Sequence, residues 1–235
     1  MGADYICIGG GAYASYGGGP GALLTESRPW SDLSGWTGSS KDHKYANNHY
    51  LYVYAIGLKL DGVDKYTLHN QIRIVQNTSQ IQQHPNVGAT LPSGYALIGG
   101  GARVNWSGAG NLLTESYPSG STWNASSKDH LLTSPASITA YAIGIRQNIP
   151  GFGYLRINQQ VKSGGTVTGG VASNSLTVTS QYLLACPGAR ATYANVGRLL
   201  TAIIPRATSL TAYSKDHGKR DSGRVDAYAI IIRRN

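Results

Sequence analysis

A tetrad, Ser-Lys-Asp-His, occurs three times at equal steps: residues 40–43, 127–130 and 214–217, with 87 residues from each histidine to the next. The same step links Tyr54, Tyr141 and Tyr228 in the segments YAIGL, YAIGI and YAIII. Upstream, YICIGGGA (5–12), YALIGGGA (95–102) and YLLACPGA (182–189) open the copies, followed by LLTES (23–27), LLTES (112–116) and LLTAI (199–203). Four motifs in one order, three times over, make an internal repeat. A repeat of this kind is a supersecondary unit that buries its apolar side against its copies. The repeats are residues 5–59, 95–146 and 182–233, joined by segments 60–94 and 147–181.

Within a repeat the pattern is four short strands and no helical period. The YALIGGG type of segment alternates toward a glycine run, NLLTES and TWNASS are short and polar-alternating, and ITAYAIGI is a β-branched apolar run suited to a buried strand. Pro29, Pro118 and Pro205 are expected to mark the turn between the second and third strands. IRIVQ and LRINQ in the joining segments also read as strands. The 31 Gly and 16 Tyr, against one Phe and one Met, fit an all-β chain. The expected fold is one all-β domain over residues 1–235, a pseudo-three-fold body of four-stranded blocks closed so that no sheet edge is exposed.

The glycine-rich GGGA openings and the block length resemble the β-prism proteins, which include jacalin-type lectins and vitelline-membrane outer-layer proteins. That resemblance implies sugar binding at loop ends rather than catalysis. A β-trefoil, or a row of three small β-sandwich modules each completed by a joining segment, are the alternative arrangements.

The tetrad carries residue types used in nucleophilic and acid–base chemistry, so its geometry matters. A nucleophile needs a base within hydrogen-bond reach and a third group orienting that base. On an extended chain Ser and Asp face one way while Lys and His face the other. At a strand end, Asp instead bonds backbone N–H groups two residues on and shapes a turn. Ser40, Lys41, His43, Ser127, Lys128, His130, Ser214, Lys215, Asp216 and His217 are therefore read as a repeated structural motif. If the three histidines met on a shared axis they could form a three-His metal site, but repeated turns usually lie on the rim. No metal and no cofactor is expected.

The copies differ instructively. Glu26 and Glu115 become Ala202, and Trp36 and Trp123 become Leu210, while the tetrad persists. A motif kept in the most divergent copy is expected to hold the fold, and features lost there are candidates for function. Counting by twos, Trp36, Ser40 and Asp42 share a face, as do Trp123, Ser127 and Asp129. An exposed indole beside a carboxylate is a sugar platform: the ring covers the apolar face of a pyranose and the carboxylate accepts from its hydroxyls. The candidate ligand-binding residues are Trp36, Asp42, Trp123, Asp129, Glu26 and Glu115. The alternative is that both indoles are core.

The formal net charge is +9, and residues 182–235 hold nine Lys/Arg against three Asp. Such a basic third repeat would attract anionic glycans or a membrane surface. Nucleic acid is not expected, because no nucleic-acid-binding signature accompanies the charge. Only 13% of residues are charged, well below the usual quarter, a balance common in extracellular β proteins. No secretory signal is visible, and a secreted or extracellular setting is the expectation. Cys7 and Cys186 are expected as buried free thiols, the alternative being that they pair where their two repeats meet in space. Together these features point to a non-enzymatic, lectin-like protein binding cell-surface or extracellular glycans, as an adhesin or toxin receptor-binding module. The alternatives are an enzyme acting on polysaccharide or ester through the Asp/His pairs, and a structural or self-assembling repeat protein.

Overall fold

The structure, a computed structural model, describes residues 2–15, 17 and 19–234. The first repeat forms β1 (Ile6–Ser15), β2 (Leu23–Pro29), β3 (Trp36–Lys41) and β4 (Tyr50–Leu58). The first joining segment holds a short helix, α1 (Lys65–His69), then β5 (Ile72–Thr78) and β6 (Asn86–Thr90). The sequence has no helical period here; Asp64 caps this single turn by accepting from the Thr67 N–H at 2.9 Å. The second repeat gives β7 (Ala96–Asn105), β8 (Leu112–Ser119), β9 (Thr122–Lys128) and β10 (Ser137–Ile145). The second joining segment gives β11 (Asn148–Ile149), β12 (Gly153–Lys162), β13 (Val167–Thr168) and β14 (Val171–Thr177). The third repeat gives β15 (Leu183–Tyr193), β16 (Leu199–Arg206), β17 (Ser209–Lys215) and β18 (Ser222–Arg234). The chain is thus all-β with four strands per repeat. The prolines expected at the turn lie inside the ends of β2, β8 and β16, opposite Trp36, Trp123 and Leu210.

The strands form three antiparallel sheets of five, five and eight strands, none of them closed. The first runs β14-β17-β16-β1-β4, the second β3-β2-β7-β10-β5, and the third β11-β12-β18-β15-β8-β9-β6, with β13 beside β18. No repeat makes a sheet alone. The first strand of each pairs with the second strand of another: β7 with β2, β15 with β8, and β1 with β16. This exchange excludes three self-contained sandwich modules. It also corrects the expectation of full closure, because β3 and β4 remain at sheet edges.

One contiguous apolar core draws on all three repeats. The first leucines of the LLT motifs, Leu23, Leu112 and Leu199, make a separate fully buried cluster, so equivalent residues from the three copies meet. The glycine runs explain how the first strands approach so closely. A Cβ on Gly99 would stand 1.7 Å from the Ile8 carbonyl oxygen, and one on Gly9 would stand 2.1 Å from that of Ala185. Only a residue without a side chain allows these backbones to pass.

Candidate functional site

The tetrads lie where one repeat meets the next. Each strand β3, β9 and β17 ends on the tetrad lysine, and that lysine reaches into a loop of another repeat. Lys41 Nζ donates to the carbonyls of Gly108 (3.3 Å) and Ala109, Lys128 Nζ to that of Val196, and Lys215 Nζ to those of Gly19 (2.9 Å) and Gly21 (2.5 Å). Burial lowers the pKa of all three ammonium groups, that of Lys215 to about 8.

The histidines do converge. The ring centroids of His43, His130 and His217 lie 5.3 to 5.9 Å apart, and all three side chains are buried. His43 Nδ1 is 3.0 Å from the Ala109 carbonyl oxygen and its Nε2 faces that of His130. His130 repeats the pattern with Val196 (3.1 Å) and His217 (2.5 Å). Carbonyl oxygens only accept, so a ring satisfying both must carry two protons. Burial opposes that charge and holds the His130 pKa down. His217 has the poorest surroundings: the His43 backbone favours its charged form slightly but does not form a hydrogen bond. Its pKa falls to about 4 through burial and then the neighbouring His130, His43 and Lys215 charges. A general base presents a nitrogen lone pair to its substrate, whereas these nitrogens are buried and mostly occupied by backbone. Among the described residues no group of three or more His, Cys, Asp or Glu side chains is placed to hold a metal.

The aspartates shape loops. Asp42 accepts from the Asn47 N–H (2.8 Å) and Asp129 from the Ser134 N–H (3.2 Å). In the third repeat Asp216 instead faces the fully buried Arg198 at 3.7 Å, and Asp221 takes over the loop, accepting from Asn195 (2.9 Å) and Gly197 (2.7 Å). Ser40 Oγ contacts His49 Nε2 at 2.9 Å, while Ser127 and Ser214 are buried.

Trp36 and Trp123 are core residues, 7% and 1% exposed. Their Nε1 groups donate to Ser27 Oγ (2.9 Å) and Ser116 Oγ (3.0 Å). This corrects the expected indole platform: Trp123, Ala125 and Ser127 do share a face, but it is the inner one. The physical reason is upstream. Gly10 and Gly100 leave slots into which the rings fit, and a Cβ there would meet Trp36 and Trp123 at 2.5 and 2.4 Å.

The glutamates lie on the other face. Glu26 accepts from Ser39 Oγ (2.8 Å) and pairs with Arg28 Nε (2.5 Å), and across the strands it stands opposite Arg103. Glu26, Ser39, Arg103, Asn105 and Trp106 line a groove of about 430 Å³. Trp106 is 40% exposed, with Lys41 Nζ 3.8 Å from its ring centroid. A second constellation repeats this one: Glu115 accepts from Ser126 Oγ (2.9 Å), pairs with Arg190 Nε (2.9 Å), and Lys128 stands 4.3 Å from the Tyr193 ring centroid. In the first sheet the same register positions hold Ala202, Tyr213 and Tyr13, beside a groove of about 460 Å³ with no carboxylate in its lining. The structure therefore separates the expected site residues: Trp36 and Trp123 go to the core, Asp42 and Asp129 to loops, Glu26 to a groove, and Glu115 to the equivalent face of another sheet. Sequence reasoning missed Arg103, Trp106, Arg190 and Tyr193. The 87-residue step from Arg103 to Arg190 and from Trp106 to Tyr193 was the signal for them.

No known family model matches the chain, and no curated protein shows significant sequence similarity to it.

Proposed function

We propose that this protein binds glycans without transforming them, through grooves where strands of two repeats share a sheet. The body is proposed to be a pseudo-three-fold, β-prism-like arrangement. In its favour, each sheet joins the first and fourth strands of one repeat to the second and third of another. The cyclic lysine contacts and the central histidine and leucine clusters also support it.

The observation that carries the functional reading is the exposed Trp106 ring beside the Glu26–Ser39 pair and Arg103. The aromatic surface suits the C–H face of a pyranose, and a carboxylate already oriented by Ser39 and Arg28 can accept from sugar hydroxyls. The basic groups beside both carboxylates favour glycans with uronic or sulfate groups. The basic third repeat contributes less to a membrane-binding surface than its charge count suggests. Arg198 and Lys215 are buried, and Arg190 and Arg224 pair with Glu115 and Asp226, while Arg206, Lys219, Arg220 and Arg234 are exposed. An extracellular setting goes with this reading. Burial of the three imidazoles against backbone speaks against the alternative of a hydrolase built on the tetrads.

The test is a glycan array followed by titration calorimetry on any ligand found. Trp106→Ala is expected to weaken binding at least tenfold, about 1.4 kcal/mol, with the fold intact. Unchanged affinity in that variant, or no glycan bound at all, overturns the reading.

A further inference from the structure

Each joining segment clips a pair of sheet edges. The first places β5 against β10 and β6 against β9, and the second places β12 against β18 and β14 against β17. The fourth and third strands of repeats two and three are thereby covered. In repeat one the equivalent strands are β4 and β3, and among the described residues they pair only with β1 and β2.

An uncovered edge should be the most polar of the three copies, yet it is the most apolar. Leu51, Tyr52 and Val53 are 37%, 50% and 44% exposed, and Tyr50 is 75% exposed. At the equivalent positions stand Ile138, Thr139 and Ala140, and Val225, Asp226 and Ala227, all 5% exposed or less. No charged residue or proline interrupts β4 from Tyr50 to Leu58, so it lacks the usual devices that protect an edge from pairing.

The segment Tyr50-Leu51-Tyr52-Val53-Tyr54 also indicates the occupant. About Tyr52 it is symmetric in residue class, with tyrosine at both ends and an aliphatic residue, Leu51 or Val53, on either side. Two copies of one strand related by a two-fold axis are antiparallel, as β5 and β12 are to the strands they cover. With the axis at Tyr52, Tyr50 opposes Tyr54 of the other copy and Leu51 opposes Val53. Aromatic then meets aromatic on one face and aliphatic meets aliphatic on the other, the pairings that stabilise neighbouring strands. Such an isologous contact closes at two copies and leaves no open end to propagate.

We propose that β4 is a homodimer edge, pairing antiparallel with β4 of a second copy about Tyr52. The five-stranded sheet then continues across the two-fold axis into its counterpart. This does not rest on the glycan-binding reading, and its test involves no ligand.

The test is sedimentation velocity of the full chain over a concentration series to tens of micromolar. A dimer is expected for the native sequence and a monomer for Tyr52→Lys, which brings two ammonium groups together at the axis. Circular dichroism checks that the variant is folded. Tyr52→Cys gives an independent readout: oxidation should crosslink it into a covalent dimer at low concentration, while the native Cys7 and Cys186 are buried. A native monomer over this range, or a dimer that survives Tyr52→Lys and fails to crosslink through position 52, overturns the proposal. A native monomer that binds a peptide of residues 72–78, the β5 sequence, also overturns it, in favour of a strand donated by another protein.

Discussion

Gly100 and Trp123 occupy complementary positions: a Cβ added to the glycine would stand 2.4 Å from Cδ2 of the buried indole. Gly10 and Trp36 repeat the relationship at 2.5 Å. In the third repeat both partners differ together, Pro187 standing in the glycine position and Leu210 in the tryptophan position. Ring and glycine are thus one packing solution, and the third repeat uses another.

This predicts a coupled effect on stability. Trp123→Ala is expected to cost about 3–5 kcal/mol, as for large aromatic truncations in a core. Gly100→Ala alone should also destabilise, because the ring and the Tyr141 carbonyl leave no room for its methyl group. In a Trp123→Leu background the same glycine change should be milder by about 1–3 kcal/mol, the coupling typical of residues in contact. Urea unfolding of the native protein, Gly100→Ala, Trp123→Leu and their double variant measures this coupling, and additive effects would refute the complementarity.

The alternation that grouped Trp123, Ala125 and Ser127 was legible in the sequence, but which side faced the core was not. Trp123 with Ser116, Gly100 and their neighbours decides that, and these contacts join three separate strands. The strand exchange was hidden for a similar reason. The pattern of four strands per repeat is the same whether β8 lies beside β7 of its own block or beside β15, because pairing partners leave no trace in local periodicity. The repeat itself was legible because it needs no knowledge of pairing. The joining strands β5 and β12 were readable from IRIVQ and LRINQ, yet their role as clips on other strands' edges was not.

The histidine cluster predicts a pH dependence with a definite sign. The pKa of His217 is lowered in the folded protein to about 4, from an ordinary value of 6.5. The unfolded chain therefore binds a proton that the native state refuses, and stability falls as pH falls from about 6.5 toward 4. Over that window the loss from His217 alone is up to roughly 3 kcal/mol, and His130, also lowered by burial, acts in the same direction. The interval from pH 6.5 to 5 precedes most carboxylate titration and isolates the effect. His217→Gln should flatten the slope there in denaturation curves, and an unchanged slope would remove His217 as its source.

Cys7 and Cys186 are free and buried, and burial pushes their thiol pKa values to about 11 and about 12. Neither forms appreciable thiolate at neutral pH, and the thiolate is the reactive form. A thiol reagent should label neither cysteine in the native protein over hours, and both rapidly in denaturant. Prompt native labelling would show that the core opens far more often than its packing implies.

The last prediction concerns stoichiometry. Two sheets carry a carboxylate held by a serine hydroxyl and an arginine, at Glu26 and Glu115, whereas the third constellation has Ala202 at that register position. If the carboxylate accepts from sugar hydroxyls, two equivalents of a small glycan bind per chain. Glu115→Gln keeps the shape and the serine contact but removes the charge, and it should weaken one of the two sites about tenfold. Glu26→Gln should weaken the other, and the double variant both. Because Trp106 lines the groove that holds Glu26, while Tyr193 is the equivalent residue beside Lys128 in the Glu115 constellation, Trp106→Ala should act only on the site that Glu26→Gln affects. Calorimetry resolves the sites when their affinities differ, and a single site insensitive to both glutamates would place the ligand elsewhere on the molecule.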